Sequence, residues 1–351
     1  MNPCERKPAG RLPGLLAQSS STFACSSKVP DLSVLPWTLS RSHQRGSGVV
    51  HMAFDELRTE VDNRLSAALQ SETGGFEPVA GVHLLRHRQP TPLKATLYEP
   101  VVCLILHGRK EVIAGDESVV VGPGQALVVS HEIPVISKIT VARPSEPYVA
   151  VVVRLQLSVL RSLYDEVGEM NWKDASPSTL TVHEASPQLT DTINRYLKLS
   201  DDPIAQQVLE SSIRKELHFR LLMSPHGAML RTLQNHGSNA SLIAKAINYL
   251  RRNYRETLRV EDVAREVCLS QAALHKHFKT VTRTTPLQFQ KDLRLLEARR
   301  LLHEGQESVA RIAHHVGYES PSQFSREYTR KFGIPPSREN QSQDELVVDS
   351  A

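Results

Sequence analysis

One segment near the C-terminus is written twice. The stretch VEDVAREVCLSQAALHKHFKTVTRTTP, residues 260–286, aligns with VARIAHHVGYESPSQFSREYTRKFGIPP, residues 309–336, if the second copy has one extra residue in its turn. Val260, Val263, Ala264 and Val267 then meet Val309, Ile312, Ala313 and Val316 at an offset of 49, while Leu274, Phe278 and Pro286 meet Phe324, Tyr328 and Pro336 at 50. Apolar residues at i, i+3, i+4 and i+7 make one face of a helix, and a small alanine within it lets a second helix approach closely. Each copy reads as two helices joined by a turn.

The second helix of each copy opens at a serine. Ser270 and Ser320 can accept a hydrogen bond from a free N–H of the first turn, Pro321 suits that turn, and Gln323 can reach back to the cap. Gly333, Pro335 and Pro336 stop the later helix. Leu274 with Phe278, and Phe324 with Tyr328, point inward at four-residue spacing. That leaves Gln271, His275, Lys276 and Lys279 facing out in the first copy, and Ser322, Ser325, Arg326 and Arg330 in the second. Short donors and acceptors with cations farther along suit base edges and phosphates in a major groove. Thr285, Pro286 and Gln288 open a connecting helix that ends at Gly305. About 19 residues span roughly 28 Å, close to the ~34 Å between successive major-groove faces of B-DNA. Such a rod could hold both outward faces on one side of a duplex.

The formal charge of +4 over 351 residues is unevenly placed. Residues 1–50 hold 6 Lys/Arg and 2 Asp/Glu, 51–241 hold 18 and 22, 242–338 hold 18 and 10, and 339–351 hold 0 and 4. The basic excess coincides with the duplicated block, where a polyanion is the natural partner. Cys4, Cys25, Cys103 and Cys268 are scattered without a CxxC pair, the pattern of a reduced intracellular chain. No window is apolar enough for a membrane span. The first fifty residues are rich in Pro, Ser and Arg and lack periodicity, and LPGLLA is too short for a secretory signal. Folding is expected to begin near Met52, with 1–51 a disordered tail or the product of a misassigned start. From there Phe54, Leu57, Val61, Leu65 and Leu69 make one helical stripe.

Beyond Phe76 the period shifts from helical to extended. VAGVHLLRHR, VVCLILHG, KEVIA, SVVV, QALVVS, VISKITVA and YVAVVVRLQ are short β-branched runs between turns such as GDE and GPG, which predicts an antiparallel barrel or sandwich. Helices are expected at 157–168, 186–200 and about 205–223, the last with Val208, Ile213, Leu217 and Leu221 as a stripe for packing or self-association.

Residues from about Ile243 to Arg338 resemble the DNA-binding domain of AraC/XylS-family transcriptional regulators, on LHKHFKTVTRTTPLQFQKDLRLLEARRLL and IAHHVGYESPSQFSREYTRKFGIPP. The resemblance implies base-facing positions at Ala272, His275 and Lys276 in the first copy and at Pro321, Ser322, Ser325 and Arg326 in the second. Two departures stand out. Arg283 replaces the glycine found at Gly333, so the left-handed turn there is expected to be strained or differently built. Arg259 stands where Ser308 caps the second copy, which weakens the first. The front segment, from GVHLLRHRQP to YVAVVVRLQ, resembles the N-terminal, cupin-like domain of one AraC subgroup, which implies small-molecule sensing.

The expected fold is α+β. Residues 52–235 form a cupin-like antiparallel β-barrel with helices for effector binding and dimerisation, 236–342 form two helix-turn-helix units on a long connecting helix, and 343–351 form an acidic tail. The implied partners are double-stranded DNA, RNA polymerase if the chain activates, an unidentified small-molecule effector and a second copy; the implied place is the bacterial cytoplasm, at the nucleoid. No cofactor, metal or catalytic residue is expected. A metal cupin would need clustered ligands, whereas His83 and His87 lie about 13 Å apart along one strand face, and His107 and His131 stand alone. A repair alkyltransferase would need a zinc-bound cysteine cluster and a separate nucleophilic cysteine. Cys103 reads as either an electrophile sensor or an inert core thiol, and Glu99, His131 and Glu132 as pocket-mouth or ordinary turn residues.

Overall fold

The computed structural model describes residues 46–69, 73–168, 179–234, 238–305 and 307–339. Residues 1–45 of the expected tail, and the acidic tail from 343, lie outside the described residues. Helix α1 (Gly46–Ala68) begins ahead of Met52. Its stripe buries Leu57, Val61 and Leu65, with Phe54 and Leu69 at the margin.

The extended section contains β1 (Gly74–Val79), β2 (Val82–His87), β3 (Lys94–Tyr98), β4 (Val101–His107), β5 (Arg109–Ala114), β6 (Glu117–Val121), β7 (Gln125–Val129), β8 (Ile133–Val141) and β9 (Tyr148–Arg154). Strand β8 buries Ile133, Val135, Ser137 and Ile139 on alternate positions, as a half-covered strand must. Strands β4 and β9 are central and apolar on both faces. With β10 (Leu180–Glu184) the strands make two antiparallel sheets, ordered β1-β2-β9-β4-β7-β10 and β3-β8-β5-β6. The antiparallel domain expected from the sequence is present, but its hydrogen bonding does not close into a ring. The larger sheet keeps β1 and β10 as edges, the smaller β3 and β6.

Helices α2 (Leu157–Val167), α3 (Pro187–Lys198), α4 (Pro203–Leu222) and α5 (Gly227–Gln234) pack on one another, with α3 against β1. Ser186 and Asp202 cap α3 and α4 with a proline in each first turn. The stripe expected along α4 divides: Leu217 and Leu221 are buried, Ile213 is half-buried, and Val208 is 66% exposed. The C-terminal part contains α6 (Asn239–Arg252), α7 (Val260–Glu266), α8 (Gln271–Thr282), α9 (Pro286–Glu304), α10 (Val309–His315) and α11 (Pro321–Phe332). Two apolar cores result. One runs from the sheets through α6, α7, α8 and the first half of α9, and the other joins the second half of α9 to α10 and α11. Among the described residues no helix is long and apolar enough to cross a membrane.

Candidate nucleic-acid interface

The duplicated motif folds as two helix-turn-helix units, α7–α8 and α10–α11. Their inner faces match the sequence pattern: Val263, Ala264, Leu274 and Phe278 are buried in the first, and Ile312, Ala313, Phe324 and Tyr328 in the second. The turns share one hydrogen-bond scheme. Leu269 N–H donates to Ala264 O and Cys268 N–H to Arg265 O, as Tyr318 N–H does to Ala313 O and Gly317 N–H to His314 O. This helix stop needs a left-handed residue at its hinge. Gly317 takes it at φ 91, Cys268 at φ 55.

Ser270 Oγ accepts from Ala273 N–H at 3.2 Å and Ser320 Oγ from Gln323 N–H at 3.3 Å, so both expected caps form. The Gln323 side chain does not turn back to the cap; its amide donates to Glu327, one turn on, where a carboxylate offers the stronger acceptor. Arg259 leaves α7 without a side-chain cap, whereas Ser308 accepts from Arg311 N–H. Arg283 ends α8 in the left-handed region at φ 58, the place Gly333 holds at φ 80 in the second unit.

Gln271, Ala272, His275, Lys276 and Lys279 on α8 are exposed, as are Ser322, Arg326 and Arg330 on α11; Pro321 and Ser325 are half-buried. Among the described residues, Lys276, Lys279, Arg326 and Arg330 form no ion pair. The charged groups on the inner side of α11 are occupied: Lys331 donates to Asp292 at 2.7 Å, and Glu327 accepts from Lys291 of α9 at 2.9 Å and Tyr318 at 2.9 Å. Helix α9 thereby fastens α11 along its back and leaves the outward cations free for an anion.

Two side chains outside the sequence reading hold this frame. Arg294, midway along α9, donates from Nε to Tyr254 O at 2.6 Å, from Nη1 to Gly317 O at 2.8 Å, and from Nη2 to Glu256 O at 2.7 Å and Arg255 O at 3.1 Å. Glu339, counted above with the acidic end of the chain, is instead 2% exposed. Its carboxylate accepts from Arg299 Nε at 2.7 Å, His303 Nε2 at 2.9 Å and Tyr328 Oη at 2.7 Å. Burial pushes its pKa up, but the bonds from His303 and Tyr328 and the charge of Arg299 hold it below the usual carboxylate range. Arg299 and His303 stand four apart on one helix face, the only sequence signal for such a hub. Glu339→Gln, which keeps the shape and removes the charge, is expected to cost about 2 kcal/mol in thermal unfolding.

Among the described residues no three His, Cys, Asp or Glu side chains group as metal ligands. His83 faces Glu77 at 3.2 Å and His107 faces Asp62 at 3.2 Å. Cys103 is buried with Sγ 4.0 Å from Tyr148 Oη, and burial pushes its thiol pKa up, which suits a core thiol and not a nucleophile. Glu99 pairs with Arg154 at 3.3 Å. His131 is buried beside Ser130, and Glu132 pairs with Arg251 of α6, so these two stand at the seam with the helical part.

Residues 78–229 match the family model for the N-terminus of AraC-type transcriptional regulators, and residues 263–342 match a helix-turn-helix domain model. The chain is 27% identical over 172 residues to the virulence regulon transcriptional activator VirF of Yersinia enterocolitica, covering 49% of this chain and 63% of that protein. It is 30% identical over 138 residues to the transcriptional activator RhaS of Escherichia coli O157:H7, covering 39% of this chain and 49% of that one. The chain thus spans about half to two thirds of the length of these curated relatives. Among solved structures it is similar to ToxT from Vibrio cholerae O395, at a TM-score of 0.48 and 13% identity over 76% of this chain and 98% of that one. With the AraC-type N-terminal model over residues 78–229 and the helix-turn-helix model over residues 263–342, where both tandem units fold, the chain belongs to the AraC/XylS family, with an AraC-type N-terminal domain.

Proposed function

We propose that the chain is a sequence-specific DNA-binding transcription regulator of the bacterial cytoplasm that reads adjacent major grooves with α8 and α11. The supporting observation is that two capped helices, fixed to one connector of 19 residues, leave their polar faces outward with four cations unengaged among the described residues. In this reading Gln271, Ala272, His275, Lys276, Ser322, Ser325 and Arg326 meet base edges, and Lys279 and Arg330 meet phosphates. The sheet domain receives a small-molecule effector. A second copy docks where α4 exposes Ile204 and Val208, and RNA polymerase is engaged if the chain activates. Because the two reading helices differ, the sites are asymmetric or directly repeated.

The test compares two substitutions on a duplex recovered by genomic footprinting. Arg326→Ala is expected to lose about 1 to 3 kcal/mol of binding and to relax preference at one base pair. Lys279→Ala should weaken all sequences alike and lower the salt slope by about 1. Unchanged affinity of Arg326→Ala for that duplex would remove α11 from the interface.

A further inference from the structure

The two units are not equally self-sufficient. The second has a capped first helix, glycine at both left-handed positions, and a core of its own from Leu295 to Tyr328. The first has an uncapped α7, side-chain-bearing residues at both left-handed positions, Cys268 and Arg283, and a core shared with the sheets. A left-handed residue with a Cβ carries a steric penalty that glycine avoids. Support must come from outside the unit.

The sheet domain meets the first unit at this weak point. Gly115, at φ 60 in the two-residue turn between β5 and β6, lies so close to α8 that a Cβ on it would stand 2.2 Å from the Arg283 carbonyl oxygen. From the other side of that turn Glu117 accepts a hydrogen bond from Arg283 Nε at 3.0 Å. Thr179, buried just ahead of β10, donates from Oγ1 to Val281 O at 2.8 Å and so satisfies a carbonyl that the end of α8 leaves without a helical partner. Nothing comparable joins the sheets to α11 among the described residues.

We propose that this seam is a coupling device, in which the sheet domain holds the C-terminal end of α8 through the Gly115 turn, Glu117 and Thr179, so that a change in that domain reaches the first reading helix and bypasses the second. Arg283 is then a positioning residue, kept in an unfavourable backbone conformation because glycine could not reach Glu117. The inference takes its meaning from the DNA-reading role of α8, but its test needs no DNA.

Amide hydrogen exchange on the full chain reads the coupling directly. Glu117→Ala, a change in the sheet domain, is expected to speed exchange at the end of α8 roughly fivefold and to leave α11 unchanged. In an Arg283→Gly background the same Glu117→Ala change should have no further effect, because the contact it removes is already gone. Exchange in α8 that ignores Glu117→Ala, that responds equally in the Arg283→Gly background, or that rises together with α11 overturns the proposal. A chain that fails to shift DNA would count against the proposed function and leave this result standing.

Discussion

Arg294→Met is expected to lower the stability of the chain by on the order of 3 kcal/mol and to loosen α11 from α8. The guanidinium serves four backbone carbonyls from two places in the chain, the turn after α6 at Tyr254, Arg255 and Glu256, and the hinge of the second unit at Gly317. Methionine fills the same space along α9 but donates nothing, so the half-buried Tyr254 and Gly317 carbonyls would lose a charged partner and those of Arg255 and Glu256 a bond at the surface. Gln290 reaches only two of them, Tyr254 O and Glu256 O. The two turns also touch: a Cβ on Gly317 would stand 2.2 Å from Arg255 O, so the hinge of the second unit is seated on the turn that Arg294 caps. Arg294→Lys should rescue little, since an ammonium cannot span carbonyls arranged for a planar fork. Urea unfolding of the three proteins measures the effect. A loss under about 0.5 kcal/mol for Arg294→Met, the range of an ordinary surface change, would mean that the connector does not hold the units in register through this residue.

The tandem units were legible because their signal is local. Helical period, serine caps and glycine stops are each set within about one turn of chain, and all recur at a fixed offset. The antiparallel strands were legible for the same reason, from β-branched runs and turn residues. Sheet closure was not. Whether ten strands close a ring depends on which edges pair, and β10 joins β7 across 50 intervening residues with no local mark of that choice. Arg294, Glu339 and Thr179 were missed on similar grounds. Each acts on atoms 23 to 102 positions away or, for Glu339, partly on a helix 40 positions back, and a charged residue on an amphipathic helix or tail reads as solvated until its neighbours are known. Arg283 shows the converse. Its departure from glycine was visible in the repeat, while the reason for it lay 166 positions upstream at Glu117.

Acid is expected to destabilise the folded chain well before its carboxylates titrate, by about 3 kcal/mol between pH 6.5 and pH 5. Two buried histidines produce this. Burial drives His131 down to about 4, against a weaker opposing pull from the Ala240 carbonyl, and burial with the neighbouring His183 drives His226 down to about 4. The groups facing them are few. Ser130 Oγ lies 2.9 Å from His131 Nδ1 with the Glu132–Arg251 pair alongside; Thr181 Oγ1 lies 2.9 Å from His226 Nδ1, with the His183 ring centre at 4.8 Å. An unfolded histidine takes up its proton near pH 6.5, whereas these stay neutral in the native chain to about pH 4. Between those values the unfolded state binds more protons, so stability is complete above 6.5 and is lost as pH falls, by roughly 1.5 kcal/mol per histidine down to pH 5. His218, also lowered by burial, adds in the same direction. Glu132, raised by burial, acts in the opposite sense, and carboxylates held low, such as Glu216, Glu327 and Glu339, give up their contribution only below the usual carboxylate range. Urea titrations at pH 6.5 and pH 5 read the difference. His131→Leu and His226→Leu should each shrink it by about 1.5 kcal/mol whatever they do to absolute stability. A parent protein equally stable at both pH values would show that these imidazoles are open to water. Because His131 lies beside the α6 contact and His226 bonds the strand that follows Thr179, acid should loosen first the seam on which the first reading helix depends.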